Sequence, residues 1–298
     1  MSNNKDFKVK NGIQPTVYHE GLGTVVSGSV GYNLAGASYD SKSFSVTGQD
    51  GTPYGMAFNN DGTKMYILGR STDSVYQYSL STAFDVSTAS YDSVSFSVAS
   101  QDTSAFGLAF NNDGSKMYMV GSNSDTVFQY SLSTAFDLNT ASYDSVSFSV
   151  ASQATVPYNI VFNNAGTRMY INDIDTDTVY QYTLSTAFDV GTASYNSVSL
   201  DVSPQDTTPL GLVFNSDGTK MYMSGSANDS IFQYTLSTAF DLSTASYDSV
   251  SFSVASQDAS PTSLSFNNDG TKMLMLGVQS DSVFQYSTAL NTAELDLS

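Results

Sequence analysis

A chain of 298 residues with 40 % hydrophobic side chains can build a sizeable core, and its formal net charge of -18 makes nucleic-acid phosphates and anionic lipid poor partners. It has no cysteine, which excludes disulfides and thiolate metal sites, and an acidity carried almost wholly by aspartate suits a soluble surface in salty surroundings. The opening MSNNKDFKVK lacks an apolar run of signal-peptide length and no later stretch could span a membrane, which implies a protein made in a cytoplasm, with no ordinary export signal and no membrane insertion.

The first segment is unlike the rest. DFKVK alternates polar and apolar residues as a short strand does, Asn11-Gly12 is a turn signal, and residues 24–29 form a second possible strand among Gly21, Gly23, Gly28 and Gly31. Too short and glycine-rich to hold a core, residues 1–38 read as an N-terminal β arm that docks on something else, the alternative being a disordered leader. Phe7, Val9, Ile13 and Tyr18 are its candidate attachment residues. His19, the single histidine, has no second histidine or cysteine to join it, so neither a metal site nor catalysis is expected of it.

From Tyr39 the chain repeats every 52 residues: Tyr39, Tyr91, Tyr143, Tyr195 and Tyr247 correspond, as do Phe58, Phe110, Phe162, Phe214 and Phe266, and Gln77, Gln129, Gln181, Gln233 and Gln285. Five copies reach to about residue 290. In the second copy, residues 93–98, 106–111, 115–121 and 126–132 alternate and are rich in Val, Phe and Tyr, so each reads as a strand. Asn-Asn-Asp-Gly between the second and third is hairpin-turn chemistry, and STAFDLNTAS is a loop with at most one helical turn. Four antiparallel strands at this period predict an all-β fold, a five-bladed β-propeller with four-stranded blades over residues 39–298. Calling the strands A to D from the axis outward, A is 106–111, B 115–121, C 126–132 and D 145–150 in that blade. The ring is expected to close by strand 41–46 pairing with strand 282–287, with residues 294–298 as a competing closing segment.

Comparison of the copies separates constant loops from individual ones. The A–B turns and the STAFD loops barely change, whereas Tyr54, Phe106, Tyr158, Leu210 and Thr262 differ before strand A, and Arg70, Ser122, Ile174, Ser226 and Val278 differ after strand B. In such a blade the D–A and B–C connections share one face, so one face is uniform and the other variable, through ligand reading or through drift under weak constraint. Aromatic rings beside polar groups suit carbohydrate, and the candidate ligand residues are Tyr54, Arg70, Phe106, Asn123, Tyr158, Asp175, Asn228 and Gln279. Asp173, Asp175 and Asp177 alternate as calcium ligands can, but lack the glycine and closing glutamate of a calcium loop, so no metal and no cofactor is expected. Catalysis needs a cluster that breaks the repeat symmetry, and only Asp201 and the pair Asp173/Asp175 stand out, so an enzyme is disfavoured.

Two resemblances bear on this reading. FNNDGTKMYILG followed by DSVYQYSL resembles propeller repeats of the YVTN type across residues 39–290, with Ala165, Arg168 and Leu274 as departures, and implies the fold alone. KDFKVKNGI and YHEGLGTV resemble the amino ends of virion structural and tail-fibre proteins of marine tailed bacteriophages. That second resemblance implies a virion protein assembled in the host cytoplasm, its arm held by other virion proteins and its propeller meeting a host surface glycan or receptor, with a homo-oligomer possible. The alternatives are a head decoration or connector protein that uses the propeller as a rigid spacer, a bacterial sugar-binding or adhesive protein, and a glycosidase.

Overall fold

Each 52-residue repeat makes three strands with apolar side chains on both faces and one with them on a single face. The first three must therefore be covered on both sides, while the fourth tolerates water on one. The computed structural model describes residues 31–289, which fold into five four-stranded antiparallel sheets around one axis. Strand β1 (Asn33–Ser45) comes first in sequence and is the outer strand of the last blade. Blade one is β2 (Pro53–Phe58), β3 (Lys64–Gly69), β4 (Ser74–Leu80) and β5 (Ala89–Ser97). Blade two is β6 (Ala105–Phe110), β7 (Lys116–Gly121), β8 (Thr126–Leu132) and β9 (Ala141–Ser149). Blade three is β10 (Pro157–Phe162), β11 (Arg168–Asp173), β12 (Thr178–Leu184) and β13 (Ala193–Asp201). Blade four is β14 (Pro209–Phe214), β15 (Lys220–Gly225), β16 (Ser230–Leu236) and β17 (Ala245–Ser253), and blade five is β18 (Pro261–Phe266), β19 (Lys272–Gly277) and β20 (Ser282–Ala289) with β1 outside. The innermost strands neighbour one another around the axis, β18 against β2 completing the circle. This is the all-β five-bladed propeller that the repeat predicts.

The outer strands are longer than the pattern suggests. Blade two's begins at Ala141, not near 145, because a bulge lets the chain pass Tyr143, which pairs with Tyr130, before Val146 pairs with Gln129. Ser145 takes φ +58° there, and the irregularity turns Asp144 inward, where it accepts hydrogen bonds from Gln129 Nε2 at 3.0 Å and Lys116 Nζ at 3.3 Å.

Successive blades are joined by polar clasps within an apolar seam. Each strand-C glutamine offers Oε1 to a backbone N–H of the next blade: in its C–D loop, Gln77 to Leu138 at 3.1 Å, Gln129 to Val190 at 3.1 Å, Gln181 to Leu242 at 3.0 Å and Gln285 to Val86 at 3.3 Å, and at the start of β1, Gln233 to Leu34 at 3.2 Å. Fully buried Tyr66, Tyr118 and Tyr170 donate to the carbonyls of Phe136, Phe188 and Phe240 at 2.5, 2.6 and 2.5 Å, and Tyr222 donates to that of Tyr32. Leu274 cannot do so, and Lys272 reaches the Phe84 carbonyl instead, at 3.3 Å.

Closure draws on more of the amino end than the repeat boundary at Tyr39 implies. β1 pairs with β20 from Ser45↔Ser282 back to Asn33↔Ala289, and Tyr32 and Leu34 are buried in the seam between blades four and five. Tyr32 stands one period before Phe84 and Leu34 one period before Val86, so the repeat runs into the segment read as arm. Tyr32, at φ +61°, lies over Gly270 as Phe84, at φ +52°, lies over Gly62. Residues 1–30, with Phe7, Val9, Ile13 and Tyr18, and the competing closing segment 294–298 lie outside the described residues.

Loss of the Tyr32 side chain removes a seam ring together with the hydroxyl that donates to the Asn267 and Asn268 carbonyls. Tyr32→Ala is expected to lower unfolding stability by about 3–5 kcal/mol in a denaturant titration. Removal of residues 1–38 is expected to cost clearly more than removal of residues 1–30, which leaves the seam intact.

Candidate functional site

The two ends of the axis differ in how their loops are held. On one end lie the A–B turns and the C–D loops. Gly62 takes φ +70°, and a Cβ there would come within 2.1 Å of the Phe84 ring, so the turn needs glycine both for its backbone and for the loop packed on it. Asn60 Nδ2 donates to the Asn112 carbonyl at 2.5 Å, Asn112 to Asn164 at 2.6 Å, Asn164 to Ser216 at 2.7 Å and Asn268 to Asn60 at 2.8 Å. This circle around the mouth is broken where Ser216 replaces asparagine. Inside it is a cavity of about 210 Å³ against Met56, Leu108, Ile160, Leu212 and Leu264, and another of about 410 Å³ lies beside Ser216 and Asn268.

At the other end the D–A and B–C loops are tied together by a buried carboxylate in every blade. Asp50 accepts from the N–H groups of Thr52 at 2.7 Å and Thr72 at 2.9 Å, and from the Thr72 hydroxyl at 2.7 Å. Asp102 and Asp258 repeat this with Ser104 and Ser124 and with Ser260 and Ser280, and Asp206 binds the N–H groups of Thr208 and Asn228. Opposite each sits a glycine, as at Gly69, where an added Cβ would stand 2.3 Å from the Asp50 carboxyl carbon.

Blade three reverses the arrangement. The aspartate position holds Ala154 and the glycine position holds Asp173, whose carboxylate reaches back to the Val156 N–H at 2.6 Å, the Thr176 N–H at 3.0 Å and the Thr176 hydroxyl at 2.8 Å. Asp173 is thus a loop anchor delivered from the opposite strand. Among the described residues no group of three or more carboxylates or histidines is placed to hold a metal ion. Asp201, the other residue that breaks the repeat, accepts from the Ser203 N–H and hydroxyl at 2.9 and 2.6 Å, and these bonds hold its carboxyl below the usual range.

The ligand candidates on this face separate into floor and rim. Phe106, Tyr158 and Leu210 are buried on one another at the axis with Tyr54 and Ile174 half-buried beside them. Phe106 stacks on Tyr158 at 4.6 Å, and Tyr54 meets Phe106 edge-on at 4.9 Å. The rings thereby form an apolar plug, with Tyr54 the one partly open to solvent, and burial pushes the Tyr158 phenol well above its ordinary pKa. Around the plug Arg70, Asn123, Asp175, Asn228 and Gln279 are exposed. Three of these strap the B–C loop to the D–A loop: Asn123 donates to the Thr103 hydroxyl at 2.7 Å, Asp175 accepts from the Thr155 hydroxyl at 3.1 Å and Asn228 donates to the Gln205 carbonyl at 2.9 Å.

The buried carboxylates were the residues hardest to single out from sequence. Asp50 and its counterparts look like ordinary loop aspartates, and the signal that distinguishes them is the paired exchange at positions 154 and 173.

No family model matches the sequence, and no curated protein matches it. Among solved structures, a functionally unknown protein from Desulfotomaculum acetoxidans is similar at 12 % identity and a TM-score of 0.48, over 76 % of this chain and 62 % of that one. A putative 6-phosphogluconolactonase from Bacteroides uniformis is similar at 13 % identity and a TM-score of 0.49, over 79 % of this chain and 68 % of that one. A protein from Lactobacillus plantarum stands at 12 % identity and 0.49, over 80 % and 69 %. This chain thus spans less than two thirds of the length of the first of these and slightly more of the other two. Such distant likenesses carry no argument about activity, and the architecture rests on the sheets themselves.

Two outcomes test this account of the loops. Asp173→Gly should cost about 1–3 kcal/mol by leaving buried donors without an acceptor. Ala154→Asp alone should also destabilise, because two carboxylates would compete for one space. The double variant should recover most of the loss, since it restores the arrangement of the other blades, and a denaturation double-mutant cycle measures the coupling. Separately, Asp73 sits at φ +47° with a buried Oδ1 that has no partner, and burial, then the charges of Asp102 and Asp50, raise its pKa. A carboxyl whose folded pKa is raised weakens the fold above that pKa and ceases to do so as pH falls through it. Asp73→Asn should therefore raise the Tm at pH 7, with the gain vanishing in acid.

Proposed function

We propose that the protein is a non-catalytic recognition head, a virion subunit of tail-fibre type whose variable face binds a saccharide on a host surface. The observation that carries this reading is the polarity of the ring. The chain enters at Gly31 against Gly270 and β20 ends at Ala289 opposite Asn33, both on the face of the A–B turns. Residues 1–30 therefore join the ring on that side, and the variable loops lie on the other. A half-open tyrosine floor within a rim of unlike polar side chains offers a sugar both a ring to pack on and fixed hydrogen-bonding groups. The non-catalytic part is supported by the commitment of the buried loop carboxylates: Asp50, Asp102, Asp173, Asp206 and Asp258 each hold two or more loop donors, so none is free to act as an acid or base. The virion assignment rests on the resemblance of KDFKVKNGI and YHEGLGTV alone.

A second reading, a head decoration or connector protein, draws on the cavity inside the asparagine circle and the one beside Ser216 and Asn268, which would place the contact surface on the uniform face. Immunogold labelling of particles separates tail from head. On a glycan array, Arg70→Ala, Asn123→Ala and Gln279→Ala combined should reduce binding tenfold or more while a cooperative thermal transition is retained. Binding that survives this triple variant, or the absence of any glycan signal, would remove the variable face as the reading surface.

A further inference from the structure

We propose that the saccharide taken at the variable face carries a carboxylate, a sugar of the uronic-acid class, and that Arg70 is the residue that reads it. This rests on the glycan reading above and narrows it to a chemical class.

The cations of the described ring are not placed alike. Lys42 pairs with Asp85 at 2.5 Å, Lys64 with Asp92 at 3.2 Å, Lys116 with Asp144 at 3.3 Å, Arg168 with Asp241 at 3.7 Å and Lys220 with Asp248 at 2.7 Å. Lys272 is spent on the Phe84 carbonyl. All six belong to the half of the ring that carries the A–B turns and C–D loops. Arg70 is the one cation among the described residues at the variable end, and it has no carboxylate within ion-pair distance there. Its counterparts in the other copies are Ser122, Ile174, Ser226 and Val278, so the charge is an addition to the fold rather than a requirement of it.

The guanidinium is also held in place. Its carbon lies 5.0 Å from the centre of the Phe106 ring and 5.9 Å from that of Tyr54, over the edge of the axial plug. Nε donates to the Ser104 hydroxyl at 3.2 Å, and Ser104 in turn accepts from the Ser122 hydroxyl at 3.1 Å. That leaves the two terminal amino groups without an acceptor among the described residues, on an exposed side chain. A planar fork fixed at one edge and open at the other matches a carboxylate in two-point geometry, and fixing it beforehand reduces the rotamer entropy lost on binding.

No carboxylate beneath is within ion-pair distance of it, although Asp73 lies near enough to feel its charge. Asp50 and Asp102 are saturated by Thr52, Thr72, Ser104 and Ser124. The net charge of -18 opposes an anion at long range, but at physiological ionic strength that field is screened within about 8 Å, so a contact made at Arg70 itself is what decides. A saccharide fits better than a free anion because the Tyr54 ring, the paired hydroxyls of Thr52 and Ser71, and Ser122 stand beside the fork, ready for a sugar's C–H face and hydroxyls.

The test is calorimetric titration of the full chain with trimers of galacturonate, glucuronate and mannuronate, each beside its methyl ester, and with sodium acetate. At least one acid trimer is expected to bind tenfold or more tightly than its ester. Arg70→Gln should abolish that preference, and Arg70→Lys should keep only part of it, since it retains the charge without the fork. Thermal unfolding should differ by no more than a few degrees among the three proteins, because Arg70 is exposed and its ring and Ser104 contacts lie at the rim. Acid and ester bound equally would overturn the inference while leaving the glycan reading in place. Acetate bound as well as the trimers would overturn it in favour of charge alone, and failure of every trimer, acid and ester, would overturn it whatever neutral sugars the array returns.

Discussion

The ring depends on one amide per blade. Apart from a small plug at the axis, the blades share no core, so each must recognise the next through a seam, and an apolar seam alone fixes neither register nor angle. The strand-C glutamine fixes both. Its Oε1 takes a buried backbone N–H of the following blade that would otherwise lack an acceptor, and in four blades its Nε2 is held by an aspartate of its own outer strand, as Gln77 is by Asp92 at 2.8 Å. The bulge that turns that aspartate inward therefore transmits an outer-strand irregularity into the alignment of the next blade. Closure obeys the same rule. Gln233 finds its N–H on Leu34 and Gln285 finds its own on Val86, so the first residues of the ring and the last are bound by the interactions that join any two blades.

From this constraint follows the difference between the faces. The N–H groups that the glutamines engage lie in four C–D loops and at the start of β1, and these segments pack on the A–B turns through Phe84, its counterparts and Tyr32, so one face is fixed by the seams themselves. The opposite face needs only its buried carboxylate to tie two loops together. Once that bond is made, the residues beside it are free to differ, and Arg70, Ser122, Ile174, Ser226 and Val278 do. Uniformity on one side and variety on the other thus have a structural origin before any ligand is invoked. A ligand-binding role uses that freedom.

Much of the fold was legible because the period, the turn chemistry and the alternation all point to one unit. Where legibility failed, the causes are physical. GYNLAGAS reads as part of a glycine-rich arm because Tyr32 and Leu34 replace Phe84 and Val86 with similar but unequal side chains, and their role appears only when the ring supplies blade four as a neighbour. Of the candidate site, the exposed loop positions Arg70, Asn123, Asp175, Asn228 and Gln279 were legible as such, and the buried floor was not. Variation marked Phe106 and Tyr158 as ligand candidates, yet five side chains at the axis fill a shared space, and they vary because only their combined packing is constrained. Sequence comparison sees each position separately and cannot tell a filled axis from an open pocket.

Blade three shows what broken symmetry means in a repeat protein. Among its differences from its neighbours are two pairs of positions that are compensated exchanges. Asp173 for glycine accompanies Ala154 for aspartate, so one carboxylate still serves the same loops from the other side. Arg168 for lysine accompanies Asn196 for aspartate, and with its usual carboxylate gone the longer cation crosses the seam to the Phe240 carbonyl and Asp241. Read singly, Asp173 is a candidate ligand and Arg168 a departure without a reason; read with its partner, each restores what the other removes. A residue unique to one copy therefore argues for added chemistry only when no second change in that copy balances it. Asp173 and Arg168 fail that condition. Arg70 meets it, because the residues around it in blade one keep the bonds that their counterparts make elsewhere, and its charge answers no loss within the ring.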